Sequence, residues 1–462
     1  MKKLFFALAI MAMTQACTNP KPQKSGNLKM MILDPGHFHA ALIQKSMLPG
    51  VDSTVYVYAP KGTEVTAHAA LINQYNTRPE QPTGWKMEAY YDADFLERML
   101  AEKPGDMVVL AGNNKKKTEY IAKSVAADLH VLSDKPMAIN KDGFNLLEEA
   151  FKTADKQGVI LFDIMTERYN IYSILQKELI RNQAVFGTLQ KGSLAEPAII
   201  KNSVHHFYKE VSGKPLIRPA WYYDVEQEGE GIVDVTTHSI DLVQWQCFPE
   251  ALLDYKKDVE VLSASRYPTR LTLAQFRQST DEGSFPGFLH KDVHQDTLDV
   301  YANGEINYSI KGVHSKVSVQ WAYQAAPGAG DTHLSQMRGT RAIVSIKQGK
   351  AEGFKPTLYI EPVNASGFSE LEAKEIAAGF AEIEKNYPGI ALKKIANGYT
   401  VVIPDALQEG HEEHFAHVAH KFMDYVKAGK LPEWEKAFML TKYFITTEAL
   451  AKAKTVKGER SS

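Results

Sequence analysis

Between residues 28 and 162, short apolar runs alternate with amphipathic stretches. This alternation limits the possible folds more than any other feature of the chain. Runs at 28–33, 54–58, 107–111, 129–132 and 159–162 have strand length, and stretches at 39–47, 118–127 and 142–157 have helical spacing. Within 142–157, Phe144, Leu147, Ala150, Phe151 and Ala154 recur at three- and four-residue intervals, one stripe of a 3.6-residue helix. A strand that is apolar on both faces must be covered on both, so the pattern predicts a parallel sheet between helical layers. After about residue 166 the texture changes. Strand-like segments at 199–205, 259–263, 296–301, 305–310, 316–321 and 342–347 dominate, and several alternate apolar with polar residues. That is the pattern of an open, mainly antiparallel sheet with one wet face. Amphipathic helices follow at 411–427 and 433–453, while residues 374–410 fit neither texture and are left as an insertion. Two domains result, 28–165 and 166–462.

The N-terminus carries a different message. Lys2 and Lys3 precede an apolar stretch from Leu4 to Met13 that is too short to span a bilayer. Ala16 then stands directly before Cys17, which resembles the lipobox of bacterial lipoproteins. Residues 1–16 are therefore expected to be removed as a signal peptide, with Cys17 lipidated. Residues 17–27, polar and Pro-rich, read as a tether. The expected location is the periplasm, with membrane attachment through the lipid alone. Removing residues 1–16 takes two lysines and no acids from a chain of net charge −2. No basic surface of the nucleic-acid-binding kind follows from the resulting acidic balance, and no nucleic-acid partner is expected. Cys247 is the only other cysteine, so the mature chain has no intrachain disulfide to stabilise it.

Two segments about a hundred residues apart carry the chemistry. Ser133-Asp134-Lys135-Pro136 ends an apolar run, and Gly229-Glu230-Gly231-Ile232-Val233-Asp234-Val235-Thr236-Thr237-His238 opens a helix. Oxidising a secondary alcohol requires loss of the hydroxyl proton as a hydride leaves the carbon. Histidine titrates near neutrality, so His238 suits a general base. Asp234, four residues earlier, would share its helix face and could fix the histidine tautomer or hold a hydroxyl. Lys135 would favour the developing alkoxide.

In this order and setting the segments resemble signatures of the glucose–fructose oxidoreductase and inositol dehydrogenase family (Gfo/Idh/MocA), in a lipoprotein variant of Bacteroidota type. Asp134-Lys135-Pro136 is similar to the family's Glu-Lys-Pro, and Asp234 with His238 matches its Asp-x-x-x-His. The resemblance implies an α/β Rossmann domain followed by an α+β domain whose sheet floors the substrate site. It further implies NAD or NADP as cofactor, catalytic roles for Lys135, Asp234 and His238, and possible homo-oligomers through the open sheet. A small carbohydrate would be the substrate, with net oxidoreduction or an NAD-dependent glycosidase outcome both open.

The cofactor loop departs from the expected Gly-x-Gly-x-x-Gly. It reads Asp34-Pro35-Gly36-His37-Phe38-His39, with only Gly36 at a glycine position. An aspartate there repels a pyrophosphate, and His39 would crowd the helix against the strand. Asp34 to His39, Asn113, Asn114, Asp134 and Lys135 are nonetheless the expected cofactor contacts. After the second strand, Lys61 stands near the position of the usual ribose-binding acid and better suits a phosphate. Lys115-Lys116-Lys117 reads as a solvated helix start. Histidines at 37, 39, 205, 206 and 238 could together hold a divalent metal for hydrolytic or lyase chemistry. Hydrogen bonding to sugar hydroxyls is the simpler reading, and no metal is assigned. His205 and Trp221, in an aromatic and cationic run, are the expected substrate contacts. A cofactor-free sugar-binding lipoprotein remains the alternative of another class.

Overall fold

The structure, a computed structural model, describes residues 26–211 and 214–456. Cys17 lies outside the described residues. Six strands form a parallel sheet in the order β3-β2-β1-β4-β5-β6: β1 (Leu28–Leu33), β2 (Val51–Ala59), β3 (Lys86–Tyr91), β4 (Met107–Leu110), β5 (His130–Asp134) and β6 (Leu161–Ile164). Helices α1 (His39–Leu42), α2 (Thr63–Thr77), α3 (Phe95–Glu102), α4 (Lys117–Ala126) and α5 (Lys141–Gln157) cover it. Strands β1, β4, β5 and β6 are almost wholly buried because their side chains meet helices on both faces. The strand order reverses beside β1, which opens a crevice at the carboxyl ends of β1 and β4.

Three elements depart from the expected ones. The helix expected over 39–47 contracts to the four residues of α1, and the chain continues through turns and bends at 43–46. The segments at 296–301 and 305–310 are one strand, Thr297–Ile310, which runs through Asn303-Gly304. The insertion at 374–410 is largely ordered: helix Glu370–Glu384 begins with a capping box at Ser369, and a hairpin, Ala391–Ile395 with Gly398–Val402, extends the second sheet.

That second sheet has eleven strands and is mostly antiparallel. Its central strand, Ile199–His206, pairs antiparallel with Thr332–Arg338 and parallel with Val313–Ala322. This register sets His205 beside Trp321. Helices Thr236–Cys247 and Glu433–Lys452 fill the space between sheet and Rossmann unit, and helix His411–Ala428 packs Phe415, Val418 and Phe422 into the Rossmann core. A buried ionic network ties these helices together. Arg168 forks onto Asp241 at 2.6 and 2.7 Å and reaches Glu435 at 2.8 Å. Lys442 bridges Asp241 and Asp163, each at 2.7 Å, and Tyr443 donates to Asp163 at 2.9 Å. None of the described helices is long and apolar enough to cross a membrane.

Candidate active site

The crevice beside β1 is a groove of about 470 Å³ whose lining includes Asp34, Pro35, Gly36, Lys61, Asn113 and Trp221. The irregular loop keeps the turn that glycines usually make. Asp34 takes φ +51°, a left-handed conformation that aspartate tolerates better than most residues. Gly112, on the facing loop, comes so close that a Cβ would collide with the Asp34 carbonyl oxygen. Burial raises the Asp34 pKa from its ordinary value, and Tyr120 donates to the carboxyl at 3.3 Å. His39 avoids crowding the strand by turning toward Asp134 and Phe415. His37 joins it there, and Phe38 is 48% exposed.

On the other side of the loop, charged groups converge. The Lys135 ammonium pairs with Asp234. Burial alone would lower its pKa, but Asp234, Asp134 and Glu228 outweigh that and hold it above the ordinary lysine value. Lys135 is therefore a fixed cation and not a base. Asp134 accepts from His39 Nδ1 at 2.9 Å and from its neighbour's backbone N–H. His39, Lys117 and His37 keep Asp134 ionised well below the carboxylate range against its burial. Asp234 does not hold His238 as the spacing suggested. It precedes helix Thr236–Cys247 in a turn, its carboxylate is taken by Lys135, and His238 Nδ1 has no hydrogen-bond partner. Burial and the Lys135 charge depress the His238 pKa well below 6.5, so its imidazole is neutral at physiological pH.

Next to Asp234 lies a small aromatic recess lined by Phe207, Tyr222, Glu228 and Trp321. Arg218 stacks over Tyr222 and Trp321 at 4.6 and 5.3 Å. A Cβ at Gly231 would run into the Ala302 carbonyl, so the segment before Asp234 needs glycine to lie on the sheet. Of the two expected substrate contacts, His205 lies over Trp321 with ring centroids 5.1 Å apart. Trp221 instead packs against Gly36 in the groove and is 8% exposed.

Three further placements differ from the sequence reading. Lys117 is not solvated. It is 2% exposed, donates to Asn114, and sits within electrostatic reach of Asp134 and Glu228. Asn113 lines the groove, whereas Asn114 is buried and donates to the Glu228 carbonyl at 2.6 Å. The histidines do not share one centre: His37 and His39 meet at Asp134, while His205 and His206 reach Asp331 at 3.7 and 2.7 Å. Sequence reasoning also missed Glu228, whose carboxyl is pushed well above its ordinary value by burial and by Asp234. Its place immediately before the Gly229–His238 segment was the available signal. Trp321 and Asp331 carried none, because only sheet pairing brings them to the site. Cys247 is not a nucleophile here: burial pushes its thiol up to about 12.

A dinucleotide-type crevice opening onto a lysine, a carboxylate and a neutral imidazole defines a Rossmann oxidoreductase. Comparison with known families agrees. Residues 175–454 match the family described as "Putative oxidoreductase C terminal domain", and residues 53–163 match "Oxidoreductase family, NAD-binding Rossmann fold" (GFO/IDH/MocA). The chain belongs to this oxidoreductase family and is an enzyme of GFO/IDH/MocA type with an NAD-binding Rossmann fold. It is similar to the crystal structure of a "putative oxidoreductase" from Parabacteroides merdae ATCC 43184, at 50% identity over 92% of this chain and 97% of that one, with a TM-score of 0.90. At the level of fold alone it resembles a "putative oxidoreductase" from Thermotoga maritima (15% identity, 92% and 97% covered, TM-score 0.57). A 3-ketoreductase from Actinomadura kijaniata in complex with NADP and TDP-benzene (13%, 93% and 99%, 0.55) shares the fold to a similar degree. No curated protein matches the chain.

Proposed function

We propose that the protein oxidises a secondary hydroxyl of a sugar or glycoside with a tightly held NAD or NADP, as a lipoprotein anchored in the periplasm. The observation that carries the reading is the Lys135–Asp234 ion pair, set between a dinucleotide-type groove and an aromatic recess. The residues of the groove fit a dinucleotide. Gly36 and Gly112 leave backbone space, Tyr120 donates to the Asp34 carboxyl, and Lys61, Lys115 and Lys116 line the groove to meet phosphates. A nicotinamide held there would accept the hydride that leaves the carbinol carbon. Lys135, a permanent cation, donates to the substrate oxygen and stabilises its developing charge. Asp234 anchors that ammonium and offers an acceptor to a neighbouring hydroxyl. The neutral His238 takes the hydroxyl proton. Trp321 and Tyr222 present ring faces to the sugar.

The test is mass spectrometry of nucleotides released by denaturing the purified protein, combined with a turnover screen on sugars and glycosides. About one NAD(P) per chain with sugar turnover is the expected result. A nucleotide-free protein that binds sugars and cannot be reconstituted would make it a binding lipoprotein instead. The pH profile is a second test. His238 must be neutral to act, and its pKa lies below 6.5, so the acid limb of kcat/KM should fall below that value. A limb above pH 6.5 would exclude His238 as the base.

Glu228 favours a second outcome at the same centre. A carboxyl that keeps its proton at higher pH than usual can protonate a leaving glycosidic oxygen after transient oxidation of a neighbouring carbon. Release of the aglycone without net cofactor reduction would select that outcome over simple oxidation. Anchoring is tested separately. The full chain expressed in a Gram-negative host should incorporate palmitate label and partition with membranes, and Cys17→Ser should abolish both. A Cys17→Ser protein that still carries lipid would refute the anchor.

A further inference from the structure

We propose that His37, His39 and Asp134 form a binding site for one Zn²⁺-class divalent cation. Their ligating atoms all lie within 4.8 Å of one another. Asp134 Oδ2 is 2.9 Å from His39 Nδ1 and 3.6 Å from His37 Nδ1. In a tetrahedral zinc site with metal–ligand bonds near 2.0–2.1 Å, neighbouring ligand atoms are about 3.3 Å apart. The two distances straddle that value, and the ligating atoms of the two imidazoles lie within 4.8 Å of each other, near enough for side-chain rotation to close the three donors around a cation. His37 Nδ1 is buried and has no hydrogen-bond partner, which leaves a lone pair or N–H unused a short way from a carboxylate. Two imidazoles and one carboxylate favour zinc-class cations over magnesium or calcium, which prefer all-oxygen sites.

The position adds to the argument. Both histidines stand in the loop where a dinucleotide fold normally has glycine, and both turn away from the groove toward Asp134. The loop therefore serves two faces: a nucleotide crevice on one side and a donor set on the other. Lys117 and Lys135 lie close enough to Asp134 to oppose a cation, but Asp234 pairs with Lys135 and offsets that charge. The second histidine pair makes an instructive contrast. His205 and His206 approach different oxygens of Asp331 and share no common point. Three protein ligands leave a fourth position open for solvent or a substrate oxygen.

The site is independent of the redox reading and is tested without turnover. The full chain, stripped by chelator, is titrated with Zn²⁺ alone by calorimetry and with Co²⁺ alone by visible spectroscopy. The expected result is one Zn²⁺ per chain, with Co²⁺ ligand-field bands of a four-coordinate nitrogen–oxygen site. His37→Asn should weaken Zn²⁺ binding by about 100-fold or more, beyond the 10–100-fold that loss of an outer partner costs. Because His37 Nδ1 makes no hydrogen bond, that variant should fold, which circular dichroism verifies. His39→Ala serves as the second variant. Absence of stoichiometric Zn²⁺ binding, or binding unchanged in both folded variants, would overturn the site. Loss of binding in His206→Asn, with none in His37→Asn, would also overturn it.

Discussion

Replacing Lys135 by alanine should lower kcat/KM by about 10³-fold while the protein remains folded and holds its nucleotide. The loss of one well-placed donor to a developing oxyanion ordinarily costs about 10²–10³-fold. Here the same substitution also leaves Asp234 buried without its cation, and that carboxylate would then face the charge forming on the substrate. Because the ammonium acts on the reacting oxygen, the effect should fall on kcat more than on nucleotide affinity. Single-turnover measurements with the bound nucleotide separate the two. Turnover within about tenfold of the parent enzyme in a folded Lys135→Ala protein would remove Lys135 from the chemistry.

The second large effect concerns stability. Lys442 is completely buried between Asp163 and Asp241, so Lys442→Met keeps the volume and removes the charge. Among the described residues, Asp163 then retains the Tyr443 hydroxyl and Asp241 the Arg168 guanidinium. Removing one member of a buried ion network typically costs about 3–5 kcal/mol, because the remaining charges stay desolvated. Urea unfolding should show a loss of that order, and a change below about 1 kcal/mol would mean the network is mutually redundant. The pH dependence follows the same charges. Arg168 and Lys442 hold the Asp241 pKa below its ordinary value against its burial. The unfolded chain therefore takes up this proton first as pH falls. The stabilisation is complete above the unfolded carboxyl pKa of about 3.9 and is lost progressively as pH drops from there toward the folded value.

Some of this molecule was legible in its sequence, and the reasons differ by residue. The parallel sheet declared itself because its strands are apolar on both faces, and helix α5 because its stripe has helical period. Strand β3 was not read, since four of its six residues are polar or aromatic and none is fully buried. Lys135 and Asp234 stood out as members of short segments, and the fold brings them together across 99 residues. Lys117 did not stand out. A lysine run looks solvated in one dimension, and only the packing of α4 against β5 and the Asn114 side chain encloses its third member. The pairing of Asp234 with His238 failed for a related reason. Spacing of four residues implies a shared face only inside a helix, and this helix begins at Thr236. Loop 34–39 was read as damaged because its glycines are missing. Its backbone nevertheless makes the turn, with Asp34 taking the left-handed conformation and Gly112 making room from the opposite loop.

The ionic network also bears on how the molecule moves. Many two-lobed enzymes open and close by a hinge between lobes, at little energetic cost when the lobes meet through a loose, wet interface. Here Asp163 at the end of the nucleotide-binding sheet is locked to Lys442 and Tyr443 of a helix that belongs equally to the other lobe. Swinging the lobes apart at this point would separate buried charges from partners they hold across the boundary, at several kcal/mol for each uncompensated charge. A hinge motion that exposed the crevice would therefore have to break this network or leave helix Glu433–Lys452 with one of the two lobes.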